Sequence, residues 1–97
     1  MTIGVLTVNI YVDVQETIKE QRNRTRSIRE KLRNKFNVSV AEIPEEGMRG
    51  RSSIAVVAVN SDAKYVQTVL SNVYNHLDRL FPDIIQEYHI ETLLYQA

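Results

Sequence analysis

Residues 3–12 read IGVLTVNIYV, and residues 16–36 read ETIKEQRNRTRSIREKLRNKF. The first stretch alternates in hydrophobicity, so that Leu6, Val8 and Ile10 share one side of an extended chain. In the second stretch the apolar side chains recur with the 3.6-residue period of a helix. The side chains on one side of that helix are Ile18, Thr25, Ile28, Leu32 and Phe36. The change of period predicts a strand followed by a long helix.

The rest of the chain repeats this alternation of strands and helices. Residues 38–43 predict a short β-branched strand, and residues 53–59 predict a strand that is apolar on both faces. Residues 63–80 carry a second amphipathic helix, and residues 84–91 a fourth strand. The order β-α-β-β-α-β predicts an α+β ferredoxin-like sandwich, with a four-stranded antiparallel sheet and both helices on one face. We expect residues 1–97 to form a single domain of this fold.

The composition excludes several kinds of chemistry. The chain has no cysteine, which rules out disulfides, zinc–thiolate sites and a cysteine nucleophile. His76 and His89 do not have the spacing of metal ligands, and Glu45-Glu46 is simply an adjacent pair in a loop. Small acylphosphatase-type enzymes of the same element order hold anions in a strand-to-helix loop that carries arginine, but residues 12–17 contain neither Arg nor Gly. We therefore expect no enzymatic activity and no cofactor or metal.

The hydropathy pattern also bears on location. The longest apolar run, residues 54–59, is far too short to span a bilayer. The N-terminus leads directly into a predicted strand and lacks the basic flank and apolar core of a signal peptide. We expect a cytoplasmic protein that does not contact the membrane.

Positive charge is concentrated in the predicted first helix. The chain is neutral as a whole, with 12 basic and 12 acidic residues, but residues 19–35 contain eight basic residues and only two acidic ones. In helical projection Lys19 lies just beyond a ridge of four arginines within about 60° of one another. The ridge consists of Arg22, Arg26, Arg29 and Arg33. A second basic group on the other side of the apolar stripe consists of Arg24, Lys31 and Lys35.

The ridge has two interpretations. Its like-charged neighbours cost about 1 kcal/mol at low salt, and Glu20 and Glu30 can relieve only part of this. The ridge could bind a phosphate backbone, with Arg49 and Arg51 of the following loop assisting. Alternatively, the arginines could lie over the sheet edge and pair with acidic residues nearby. Those acidic residues are Glu42, Glu87 and Glu91.

The open face of the predicted sheet offers little for base stacking. The third strand has no aromatic residue, and Tyr11 and Tyr88 on the outer strands are the nearest candidates, which disfavours an RNA-recognition motif. A sheet that is apolar on both faces needs a cover. We favour a homodimer, with the tail around Leu93, Leu94 and Tyr95 folding back as the competing possibility.

Three segments resemble the YlxP-like family of small bacterial proteins. They are residues 3–6 (IGVL), residues 18–22 (IKEQR) and residues 36–42 (FNVSVAE). The resemblance implies a ferredoxin-like fold and a cytoplasmic bacterial origin. It also implies a ribosome-associated or RNA-binding role, because family genes often lie beside those for translation and ribosome maturation factors. It supplies no catalytic residues. Gln21 and the loop at 48–51 depart from the family pattern, although Arg51 matches an arginine in the family's loop.

The leading hypothesis is a non-enzymatic accessory protein that binds RNA or a ribosomal subunit. The predicted contact residues are Lys19, Arg22, Arg26, Arg29, Arg33, Arg49 and Arg51. The alternative is a homo-oligomeric interaction module whose basic helix docks on an acidic protein surface.

Overall fold

The computed structural model describes residues 1–11, 15–44 and 51–96. Its elements follow the predicted order, and the sheet is antiparallel throughout with the strand order β2-β3-β1-β4. The elements are β1 (Thr2–Tyr11), α1 (Ile18–Lys35), β2 (Ser39–Pro44), β3 (Arg51–Asn60), α2 (Ala63–Leu80) and β4 (Ile85–Leu94). The ferredoxin-like prediction is confirmed.

One face of the sheet forms the core with both helices. Leu6, Val8 and Ile10 of β1 are buried, and Leu6 pairs with Val56 of β3 on the same face. The buried helix residues that join this cluster are Ile28 and Leu32 of α1 and Val66, Leu70, Val73 and Leu77 of α2. Because one cluster unites this face with both helices, no described helix lies on the other face of the sheet, which is called the open face below.

Helix α1 is held by a short buried stripe. Thr17 caps its start, where the side-chain oxygen accepts a hydrogen bond from the Glu20 N–H. The buried residues of α1 are Thr25, Ile28 and Leu32, and the Thr25 hydroxyl donates to the Gln21 carbonyl. The prediction that Ile18 belongs to this stripe is wrong: its side chain is 69% exposed, because it borders an open groove beside β2.

Strand β4 is longer than predicted. It runs to Leu94, which pairs with Thr2, and the Tyr95 N–H donates to the Met1 carbonyl. The chain after Glu91 therefore extends the sheet edge and does not fold back over the open face. The proposed cover by Leu93, Leu94 and Tyr95 is wrong, since Thr2 and its neighbours offer these residues backbone partners.

Within the described ranges, neither helix combines the length and apolar character needed to cross a bilayer.

Candidate functional site

A groove runs between α1 and the sheet edge formed by β2. Its volume is about 810 Å³. One wall comes from α1, and the other from Ala41 and Glu42 of β2. Since β2 is the outermost strand on this side, the groove is open to solvent along its length. The α1 residues that line it are Ile18, Lys19, Arg22, Asn23, Thr25, Arg26 and Arg29.

Helical spacing explains why four cations share this groove. Lys19, Arg22, Arg26 and Arg29 follow one another at intervals of three, four and three residues, so their side chains form one row along α1. The row lies on the β2 side of the buried stripe. Arg33 continues the row in sequence but does not line the groove; it lies in the last turn of α1, where a cation interacts favourably with the helix dipole.

The cations in the groove are not neutralised by nearby acids among the residues that the structure describes. The salt bridge found among the described residues joins Arg24 Nη1 to Glu16 Oε2 at 2.9 Å. Arg24 belongs to the other basic group of α1 and does not line the groove. Arg26 donates to the Asn23 side-chain oxygen. We expected Glu20 and Glu30 to relieve part of the repulsion between the arginines, but among the described residues neither forms a salt bridge with them.

Glu42 lies in the groove but has another partner. The Ser52 hydroxyl donates to Glu42 Oε1 at 2.8 Å. Glu87 likewise accepts a hydrogen bond from the Asn9 amide, at 2.9 Å, on a strand at the far edge of the sheet. The interpretation in which the ridge arginines pair with Glu42, Glu87 or Glu91 therefore finds no support in the described residues.

Two members of the second basic group of α1, Lys31 and Lys35, face α2. Lys31 Nζ lies 5.5 Å from the Phe81 ring centroid. Lys35 Nζ lies 5.9 Å from the Phe36 ring centroid and 3.5 Å from His76 Nδ1. The contacts of Lys31 with Phe81 and of Lys35 with His76 help attach α1 to α2, whereas the contact of Lys35 with Phe36 lies within the end of α1. The two basic groups of α1 thus have different surroundings. Lys31 and Lys35 contact the α2 side and Arg24 pairs with Glu16, whereas the cations of the row line the groove.

The environment of His76 is positively charged. Desolvation lowers the pKa of His76, and the charges of Lys35, Arg79 and Lys31 lower it further. The surrounding positive charges therefore disfavour protonation of the His76 imidazole.

Of the two predicted loop arginines, Arg51 is described by the structure, and it does not line the groove. Arg51 pairs with Tyr11 at the end of the sheet, and both alternate onto the open face, opposite the helices. There Arg51 borders a small pocket of about 110 Å³ together with Asn9 and Glu87. Arg49 lies outside the described residues, as do Glu45 and Glu46.

The two candidate stacking residues lie on different faces. Tyr88 packs on the helix side, where its ring stacks on Tyr74 of α2 with centroids 3.7 Å apart and planes inclined at 26°. Desolvation raises the pKa of Tyr74, with smaller effects from Asp78 and Tyr88. Tyr11 is on the open face and 48% exposed. Among the described residues, Tyr11 and Tyr88 therefore do not form on the open face the aromatic pair on which an RNA-recognition motif stacks bases.

Sequence reasoning missed part of the groove. Asn23 and Ala41 line it but carry no charge or motif that would single them out. Recognising Ala41 required knowing that β2 is an edge strand, and recognising Ile18 required knowing that the first turn of α1 lies beside a groove. In the portion of the chain that the structure describes, no three acidic or histidine side chains are grouped to hold a metal ion.

Two comparisons of sequence place the chain among known proteins. The family described as "Protein of unknown function (DUF503)" matches residues 3–90. The uncharacterized protein YlxP of Bacillus subtilis (strain 168) is 34% identical over 68 residues, which cover 70% of this chain and 73% of that protein.

Solved structures with low sequence identity share the fold. PA3566 from Pseudomonas aeruginosa aligns with a TM-score of 0.59 at 11% identity, covering 100% of this chain and 97% of that chain. A putative antibiotic biosynthesis monooxygenase from Bordetella bronchiseptica aligns with a TM-score of 0.56 at 13% identity, covering both chains fully, at 100%. At such identities the likeness concerns the fold alone. The family match over residues 3–90 and the relationship to YlxP establish that this chain belongs to the DUF503, or YlxP-like, family.

Proposed function

We propose that this protein is a non-catalytic accessory factor that binds RNA in the cytoplasm through the groove between α1 and β2. The observation that carries the proposal is the row of Lys19, Arg22, Arg26 and Arg29 along one open groove. These four cations face solvent, and none forms a salt bridge with a described residue. Such a row costs stability through repulsion, and an anionic ligand offsets that cost.

The shape of the row suits a chain of phosphates more than a single small anion. Ten residues separate Lys19 from Arg29, which corresponds to roughly 15 Å along the helix axis. The groove is open along this length, so a nucleic-acid backbone can follow it without threading into a closed cavity. Arginine binds phosphate through two parallel N–H···O hydrogen bonds, which favours the three guanidinium groups of the row for such contacts.

Among nucleic acids, RNA is the proposed ligand because of the family resemblance. The YlxP-like family is associated with genes for translation and ribosome maturation factors, and this makes structured ribosomal RNA the first candidate. Contacts to phosphates would supply affinity and orientation, while selectivity would come from RNA shape.

A matched pair of charge variants tests the proposal. One variant carries Arg22→Gln, Arg26→Gln and Arg29→Gln in the groove. The control variant carries Lys31→Gln and Lys35→Gln on α1 and Arg79→Gln on α2, which removes the same charge from the surroundings of His76, outside the groove. We expect the groove variant to lose on the order of 100-fold in affinity for a structured ribosomal RNA fragment at about 0.1 M salt, since three phosphate contacts are lost. The control should lose much less.

Fluorescence anisotropy with labelled RNA measures both affinities, and circular dichroism checks that both variants are folded. Equal losses in the two variants would show that only net charge matters and would contradict a groove-specific contact. Polyglutamate serves as the competitor that represents an acidic protein surface. Binding to polyglutamate without binding to RNA would favour the interaction module instead.

A further inference from the structure

The open face of the sheet is apolar at one end and polar at the other. At the apolar end Ile3 of β1 lies between Val59 of β3 and Leu93 of β4, and in the next row Val5 lies between Val57 of β3 and Glu91 of β4. Val59 is 57% exposed and Leu93 is 59% exposed. No described segment of the chain covers these side chains, because the residues after Glu91 continue β4.

The opposite end of this face is polar and already hydrogen-bonded. The Ser53 hydroxyl donates to the Asn9 side-chain oxygen at 2.8 Å, and the Asn9 amide donates to Glu87 at 2.9 Å. Arg51 and Tyr11 follow at the end of the strands. The face therefore has a direction, with an apolar end and a polar end, and its partner must match both.

We infer that a second copy of this chain covers the open face, so that the protein forms a homodimer by packing sheet against sheet. A second copy presents the same apolar end and central strands whose open-face residues are uncharged apart from Arg51 at the polar end. It would remove the exposed Val59 and Leu93 and the partly buried Ile3 from water, which is the main favourable contribution to such an association.

The distribution of charge selects the orientation of the two copies. Rotation about an axis parallel to the strands places the apolar end of one copy on the apolar end of the other. It also places β4 over β2 of the second copy, because the strand order β2-β3-β1-β4 is reversed across the axis. The open-face residues of β2 are uncharged, so the acidic residues of β4 meet no acids there. The open-face residues of β2 are Ser39, Ala41 and Ile43.

The other rotation, about an axis perpendicular to the strands, is unfavourable on two counts. It places Val59 and Ile3 over Arg51 and Tyr11 of the second copy, because each strand then lies over its own counterpart with its ends reversed. It also places β4 on β4, which brings Glu87 and Glu91 toward Glu91 and Glu87 of the second copy. The first orientation is therefore favoured, and it keeps the strands of the two sheets nearly aligned, as in other packed sheets.

The size of the face predicts a dimer of modest affinity. Three of the four strands contain 10 residues and β2 contains six, so the sheet measures at most about 33 by 19 Å. Two such faces bury roughly 1,200 Å², which is the lower limit for a stable specific interface. We therefore expect a reversible equilibrium in which the dimer fraction depends on protein concentration.

The dimer leaves the α1 wall of the proposed RNA groove free, although Ala41 of β2 borders both the groove and the dimer face. Both helices cover the core face of the sheet, so the grooves beside α1 remain on the outer sides of the two copies. The two inferences can consequently fail independently, because dimerisation is measured without RNA.

Neighbouring leucines on β4 provide a matched test. Leu93 lies on the open face, whereas Leu94 pairs with Thr2 and alternates to the other side of the sheet, with 66% of its surface exposed. Leu93→Glu and Leu94→Glu add the same charge one residue apart, and both positions are exposed in the monomer. We expect Leu93→Glu to lower the association constant at least tenfold, because the carboxylate would be moved into an apolar contact, while Leu94→Glu should leave it within about twofold. Val59→Glu is a second variant on the open face and should act like Leu93→Glu.

Sedimentation equilibrium over a wide concentration range gives the association constant of each variant at low and high salt. A wild-type dimer that persists at high salt, is lost in Leu93→Glu and Val59→Glu and is kept in Leu94→Glu would support the inference. A wild-type protein that stays monomeric would overturn it. Loss of the dimer at high salt, or equal effects at positions 93 and 94, would also overturn it, because both results indicate charge-driven association elsewhere.

Discussion

At the residue scale, one glycine sets how closely the second helix approaches the sheet. Gly4 lies on the core face of β1, directly under α2. A Cβ atom at this position would collide with Val66 Cγ1 and lie 2.7 Å from Leu70 Cδ1. Val66 and Leu70 are fully buried and have little room to move. The sequence presents Gly4 only as a gap in an alternating pattern, so its role in packing depends on contacts that periodicity does not encode.

We expect Gly4→Ala to lower the free energy of unfolding by about 1–3 kcal/mol, because the added methyl overpacks the core. Urea denaturation measures the change. The double variant Gly4→Ala/Val66→Ala serves as its control: if the collision with Val66 is the cause, the double variant should be less destabilised than the sum of the two single variants. Strict additivity would assign the cost of Gly4→Ala to something other than this contact.

At the element scale, the period of the hydrophobic residues predicted all six elements in order, because apolar side chains recur at the spacing that places them on the buried side of each strand or helix. The ends of the elements depend on partners elsewhere in the chain. Strand β4 continues to Leu94 because Thr2 and Ile3 provide backbone partners, and nothing local in residues 92–94 indicates this pairing. Helix α1 buries Thr25, Ile28 and Leu32, whereas Ile18 has no core beneath it. A helical stripe shows which side faces inward but not how far along the helix the core extends.

The contact between α1 and α2 predicts a pH dependence centred on His76. The pKa of His76 is lowered by desolvation and by Lys35, Arg79 and Lys31. Because the folded-state pKa lies below the ordinary value of 6.5, the unfolded chain takes up the proton first as pH falls. The contribution of His76 is therefore fully present above about pH 6.5 and is lost as pH falls through the folded-state pKa.

Two measurements check this dependence. The unfolding free energy of the wild type relative to His76→Gln should decrease as pH is lowered from above 6.5. In NMR titrations, Lys35→Met should raise the pKa of His76 toward 6.5, and Lys19→Met, on the groove side of α1, should leave it unchanged. An unaltered His76 titration in Lys35→Met would show that the ammonium group does not act on the imidazole.

At the scale of the whole molecule, a chain with zero net charge separates its charges across the sheet. The cationic groove lies along β2 at one edge, and Glu87 and Glu91 lie on β4 at the other. The sequence already showed the excess of basic residues in α1, and helical projection grouped most of the groove cations correctly. The prediction from sequence also included Arg33 and Arg51 among the RNA-contact residues. In the structure Arg33 does not line the groove, and Arg51 lies on the open face of the sheet. Those positions depend on where the helix crosses the sheet edge, and this is a tertiary property.

The salt dependence of RNA binding tests the central claim most directly. If Lys19, Arg22, Arg26 and Arg29 each contact one phosphate, the logarithm of the association constant for structured RNA should fall against the logarithm of salt concentration with a slope of about −3 to −4. In the variant with Arg22→Gln, Arg26→Gln and Arg29→Gln, the slope should become shallower by about 2 to 3. A wild-type slope near zero, or a slope that the three substitutions leave unchanged, would contradict the account.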